Sequence, residues 1–178
     1  MTPVKSVEEF LKPDPTSMAW GLSSIEDHYE LIEGLRLNAN VPQPVRDYFD
    51  SIITLYLYGW LYYHFYTLTQ FLSATAVEMA LRERLPKQLD PKTGRDKRGL
   101  RLLLRQAKNT GLLRQEDLPE FNLEAVVQGL PLIRNKFAHP DMHTIMMPGM
   151  AYSGLQLAVA IINQLWPEGT EKASNTAS

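Results

Sequence analysis

A chain of 178 residues, 44% of them hydrophobic, carries enough apolar material for one packed domain with an appendage. It has no cysteine, which removes disulfide frameworks, thiolate zinc sites and thiol nucleophiles and fits a reducing cytoplasm, the expected location. The net charge of −2 conceals a polarity: Arg82 to Arg114 holds eleven Lys or Arg against Glu83, Asp90 and Asp96, so the remainder is strongly acidic, and the basic segment is either a surface for a polyanion or an acidic partner or a solvated charged loop.

The opening MTPVKSVEEFLKPDP gains acidic residues and prolines too early for the apolar stretch of a signal peptide, so export is not expected. Ser6-Val7-Glu8-Glu9 reads as a capping box, which predicts a short helix closed by KPDP. A second helix is predicted after Ser23 or Ser24. Ile25, Tyr29, Ile32 and Leu35 would form its apolar face, Glu26 and Asp27 would sit at its positive dipole end, and NANVPQP would stop it.

From Val45 to about Leu85 the chain lacks proline and reads as helix throughout, with Gly59 as the one place to bend or break. Ser51 to Val77 has no Asp, Glu, Lys or Arg and is long enough to span a bilayer. Its tyrosines, with His64 and Gln70, run through the middle, where a spanning helix is apolar; a buried helix and no membrane are expected. The aromatics read as core packing, enclosed partly by a second subunit, and Leu72, Val77, Leu81 and Leu85 continue the stripe.

PKQLDPKTGRDKRG has the composition of an exposed mobile loop. Beyond it, Leu100, Leu103, Leu104 and Ala107 share one helical face, Arg98, Arg101, Arg105 and Lys108 the other, and Gly111 is placed as the stop. The basic face is either solvated or a surface for an RNA backbone or an acidic partner. Leu123, Val126, Val127, Leu130, Ile133 and Phe137 predict a further helix that Pro131 must kink or restart. The stretch DMHTIMMPGMAYSG reads as a connection, Leu155, Ala158, Val159, Ile162 and Leu165 line a last helix, and residues 167–178 read as a disordered tail. No stretch alternates with the period of a strand, so the chain is expected to be all-α, a four-helix arrangement (residues 45–166) with an N-terminal helical extension (residues 1–44).

The stretch IRNKFAHP places Arg134, Asn135 and His139 together. An arginine fork suits a phosphate oxygen, and an imidazole both takes and gives a proton near neutral pH, as metal-independent RNA cleavage requires. On an ideal helix five residues rotate about 500°, leaving Arg134 and His139 roughly 140° apart, so a shared site needs the helix to loosen ahead of Pro140. HPDMH offers His139, Asp141 and His143 superficially to a metal, but Pro140 disrupts the helix that would align the two imidazoles and no ligand beyond this stretch is indicated; no metal and no cofactor are expected. His28 and His64 read as a surface and a core histidine, and Glu78 as a partner for Arg134.

Taken together, ATAVEMALRERL, GLRLLLRQAKNTGLL, IRNKFAHP and LQLAVAIINQLW resemble the HEPN superfamily of small all-α domains from Val45 to Trp166, most specifically in Arg134-Asn135-x-x-x-His139 followed by Pro140. That resemblance implies a helical bundle forming a homodimer in which two such motifs face one cleft, and a metal-independent endoribonuclease of a toxin–antitoxin, antiviral or RNA-processing system, with an antitoxin or other protein as partner. By carry-over Arg134 would bind the scissile phosphate, Asn135 would orient the site and His139 would act as acid or base. Arg98, Arg101, Arg105, Lys108 and Lys136 would then contact RNA. Other members are catalytically inactive modules that bind a protein, a nucleotide or RNA, and that alternative stays open. The residues before Val45 depart from the minimal domain.

Overall fold

The structure, a computed structural model, describes residues 5–19, 24–94, 96–138 and 147–168, the last two residues of the third stretch by backbone alone. The described residues form seven helices and no strand: α1 Pro15–Met18, α2 Ile25–Ile32, α3 Gln43–Tyr58, α4 His64–Arg84, α5 Leu100–Asn109, α6 Leu123–Ala138 and α7 Pro148–Leu165. None of these helices is long and apolar enough to cross a membrane. The centre is α4, which packs against α3, α5, α6 and α7. It buries Ala74, Ala76, Val77, Ala80 and Leu81, small and branched residues spread over several faces, as a helix enclosed on most sides must.

The expected continuous helix from Val45 to Leu85 is two helices. α3 ends at Gly59, and residues 59–63 turn the chain before α4 starts. Glycine is required there by packing rather than by backbone angle: a Cβ on Gly59 would lie 2.5 Å from Cε1 of the buried Tyr66 ring and 2.8 Å from the Tyr56 carbonyl oxygen. The turn is tied to α1. Asp14 accepts from the Tyr63 N–H at 3.0 Å and donates its own N–H to the Trp60 carbonyl at 2.9 Å, while Ser17 Oγ donates to the Gly59 carbonyl at 2.8 Å.

The predicted N-terminal helix does not form. Residues 7–11 are turns with Val7 90% and Leu11 77% exposed, and a short amphipathic segment with nothing to bury its apolar face cannot offset nucleation. The capping box belongs instead to α2, where Ser24 Oγ accepts from the Asp27 N–H and Asp27 accepts from the Ser24 N–H. The buried face of α2 carries His28 and Ile32, while Tyr29 is exposed. The histidine assignments are thus reversed: His28 is fully buried and His64, first residue of α4, is exposed. His28 can be interior because both ring nitrogens have partners: Nδ1 donates to the Ser24 carbonyl at 3.1 Å, and Nε2 accepts from the Tyr66 hydroxyl at 2.5 Å.

Ile32, Leu35 and Val41 belong to the same apolar core as α3, so α2 and the connection from it to α3 pack into the main body. Asn38 and Asn163 lock this connection to the end of α7: Asn38 N–H donates to Asn163 Oδ1 at 2.8 Å, and Asn163 Nδ2 donates to the Arg36 carbonyl at 2.9 Å. α5 buries Leu100, Leu103, Leu104 and Ala107 as its periodicity predicts. Gly111, at φ +72°, ends it; the Leu112 N–H donates to the Ala107 carbonyl and the Gly111 N–H to the Lys108 carbonyl, a Schellman closure. α6 runs through Pro131 without ending, because burial of Val126, Val127 and Leu130 on its preceding turns outweighs one missing backbone hydrogen bond. α7 begins at Pro148, earlier than the apolar pattern from Leu155 indicates, with proline at its first position. Ala151 and Gly154 extend its buried face.

Candidate functional site

Arg134 lies in the last turns of α6, where its Nε is 3.2 Å from Oε2 of Glu78 on α4. The Glu78 side chain is 11% exposed and that of Arg134 36%. Both atoms are shielded from solvent, yet neither makes a hydrogen bond: the Nε–H is not aimed at the oxygen, so charge rather than in-line geometry holds the pair. The Nη atoms of Arg134 make no hydrogen bond among the described residues. Asn135 and Lys136 are exposed beside it. His139, with Asp141 and His143, lies outside the described residues; α6 keeps its helical backbone to Ala138, so the loosening expected ahead of Pro140 does not occur before His139.

Glu78 serves two arginines. Its Oε1 accepts from Arg82 Nη2 at 2.8 Å, the helical i,i+4 arrangement of acid before base. Arg82 in turn reaches the loop that enters α5, donating to the Asp96 carbonyl at 3.1 Å and to the Arg98 carbonyl. Glu78 and Arg82 are one turn apart, so the end of α6 and the start of α5 meet α4 at nearly the same level. At the other ends, Lys108 of α5 pairs with Glu124 in the first turn of α6. α5 and α6 therefore run antiparallel, and Arg101, exposed in the first turn of α5, belongs to the same end of the molecule as Arg134.

The basic face is smaller than its sequence. Arg98 does not lie on it: the residue precedes α5, is 7% exposed, and spends its guanidinium on Asp96, Gln106 Oε1 and, at 2.9 Å, the Pro86 carbonyl. The Arg98 fork, acting against a smaller cost of burial, holds the Asp96 carboxyl far below the usual carboxylate range. Lys108 is exposed but paired. The Lys108 ammonium, then Gln128, with a contribution from Arg105, lowers the pKa of Glu124. Arg101 and Lys136 are exposed and form no ion pair among the described residues. Asp90 further organises the loop, accepting from the Lys92 and Thr93 N–H groups at 2.9 Å, with Gly94 at φ +62° and a single antiparallel bridge between Leu89 and Asp96.

Sequence reasoning paired Glu78 with Arg134 but missed Arg82, Asp96 and Gln106, which connect that pair to the loop. The Glu78–Arg82 spacing was the available signal; the Asp96–Arg98 fork has none, since it depends on how the loop folds back. No family model matches the chain, and no curated protein or solved structure matches it either.

Proposed function

We propose that the end of the molecule carrying Arg134 cleaves RNA without a metal, as a HEPN-like endoribonuclease acting at a site shared by two copies of the chain. The carrying observation is the state of Arg134: it is charge-anchored at Nε by Glu78, more than a third exposed, and has both Nη groups uncommitted among the described residues. An arginine held in this way presents two donors to a phosphate oxygen at little cost in side-chain ordering. Arg101 and Lys136 lie at the same end to meet flanking phosphates. In this reading His139 withdraws the proton of the ribose 2′-hydroxyl, and that oxygen attacks phosphorus. Arg134 stabilises the added charge, and the departing 5′-oxygen takes a proton from the second copy's His139, which starts as the imidazolium, leaving a 2′,3′-cyclic phosphate and a 5′-hydroxyl.

The same Glu78–Arg134 pair favours a second reading, a catalytically silent helical module that binds a protein, a nucleotide or RNA, because a partly buried ion pair is also what a purely structural arginine makes. Incubating purified protein with mixed RNA in excess chelator separates the two. Fragments with cyclic phosphate ends that vanish with Arg134→Ala and with His139→Ala are expected for the enzyme; RNA left intact across structured and unstructured substrates selects the silent module.

A further inference from the structure

Where α2 crosses α3, Ile25 and Tyr29 face Leu57 and Tyr58 across an open groove of about 390 Å³ that Leu11 and Trp60 complete. Leu11, Tyr29 and Tyr58 are 77%, 58% and 52% exposed, a concentration of large apolar side chains uncommon on a surface that meets only water. The groove has an acidic border. Glu26, Glu30 and Glu33 lie three or four residues apart along α2, and Asp50 precedes Thr54 of the groove by one turn of α3. All four are exposed, and none forms an ion pair among the described residues. Carboxylates at that spacing repel, and Glu33 sits at the negative end of the α2 dipole; Lys5, which reaches the groove at the Leu61 carbonyl, pairs with none of them among the described residues.

The opposite charge, with apolar side chains set in it, occurs elsewhere on the same chain. Leu89 and Leu102 adjoin one another beside the loop that enters α5 and are 56% and 55% exposed. Lys87 lies two residues before Leu89, Arg101 is next to Leu102 and Arg105 is nearly one turn further along α5, all three exposed, while Asp90 beside the two leucines is paired with Lys97. This patch is fastened by Arg82 near the C-terminal end of α4, while the groove lies at the turn before its N-terminal end, roughly 25 Å away along the helix. The two cannot meet within one molecule.

We propose that they meet between molecules: the Leu89–Leu102 patch of one copy docks in the Tyr29–Tyr58 groove of the next, a head-to-tail contact that propagates rather than closing on a two-fold axis. An anionic membrane or a nucleic acid is repelled by the border, whereas the chain's own basic patch offers both the anchors and the charge. The contact stands independently of RNA cleavage.

Sedimentation velocity over a range of concentrations tests it. At low ionic strength the mass should grow with concentration, and at about 0.5 M salt it should fall to the smallest assembly. Glu30→Lys with Glu33→Lys cancels the negative charge of the groove's border, and Arg101→Glu with Arg105→Glu reverses the positive charge of the patch. Each double variant alone should stay at the smallest assembly at low salt, while an equal mixture should restore association, since each supplies the surface that the other lacks. All four positions are exposed, and circular dichroism checks that the variants fold. A wild-type mass independent of concentration at low salt, a mixture that stays apart, or an arginine variant that associates like wild type overturns the proposal; the last would indicate groove-to-groove contact.

Discussion

His28 is neutral in the folded chain because burial disfavours the imidazolium, outweighing the Ser24 carbonyl and the Asp27 charge that favour it, so its pKa is lowered from the ordinary 6.5. Above that value the imidazole is neutral in folded and unfolded chains alike, and the His28 contribution to stability is fully present. As pH falls below 6.5 the unfolded chain takes up the proton first, and stability declines until the folded value is reached. Asp14 acts lower: burial would raise its pKa, but the Tyr63 and Thr16 N–H groups hold it below 3.8, so its contribution is lost only as pH drops through that range. The urea midpoint should therefore fall between about pH 7.5 and about pH 5, and His28→Gln should lower it at the upper pH while removing most of that fall. An equally steep fall in the variant would locate the titrating group elsewhere. The reversal of His28 and His64 shows what a lone sequence hides about a histidine. Burial is affordable only where two hydrogen-bond partners converge, and one of these, Tyr66, is 38 residues away.

Elements defined by one face were legible, and elements defined by their surroundings were not. α5 follows its apolar spacing to the residue and stops at Gly111 because both signals are local. The N-terminal segment has equally good local signals and stays a turn, since Val7 and Phe10 stay exposed and Leu11, at the edge of an open groove, is only slightly covered. Residues 86–99 show the converse: Pro, Gly and charge read as a mobile loop, yet the Asp96–Arg98 fork, the Asp90 turn and the reach of Arg82 fix it onto α4 and α5. Removing one member should free the loop without unfolding the helices. Asp96→Ala leaves the buried Arg98 guanidinium without its carboxylate, and trypsin cleavage within 86–99 should accelerate on the order of tenfold while helical circular dichroism is kept. Unchanged cleavage would mean that the backbone bridge and the Asp90 turn hold the loop by themselves.

Across the whole molecule the charge polarity read from the sequence survives, but internal pairing reduces the positive end. Arg82, Lys97, Arg98, Lys108 and Arg114 are each engaged by a carboxylate, and Arg84 donates to the Leu165 carbonyl. A run of charge in sequence counts residues; the field at a surface depends on which of them lack a partner, and that was legible only for the helix face carrying Arg101. The candidate site divides the same way. Arg134 and its Glu78 partner were readable from type and spacing, whereas the shared level of the α5 and α6 ends emerges only from packing on α4. Two neighbouring arginines should then fail differently. Arg101→Ala should leave the free energy of urea unfolding within about 0.5 kcal/mol of wild type and lessen the slope of log affinity for single-stranded RNA against log salt by about 0.7, the release from one phosphate contact. Arg98→Ala should instead destabilise the fold by removing the partner of Asp96, and in whatever fraction stays folded the salt slope should be unchanged, since its guanidinium faces Asp96, Gln106 and Pro86 rather than solvent. Equal slopes for wild type and Arg101→Ala would remove the start of α5 from any RNA-facing surface.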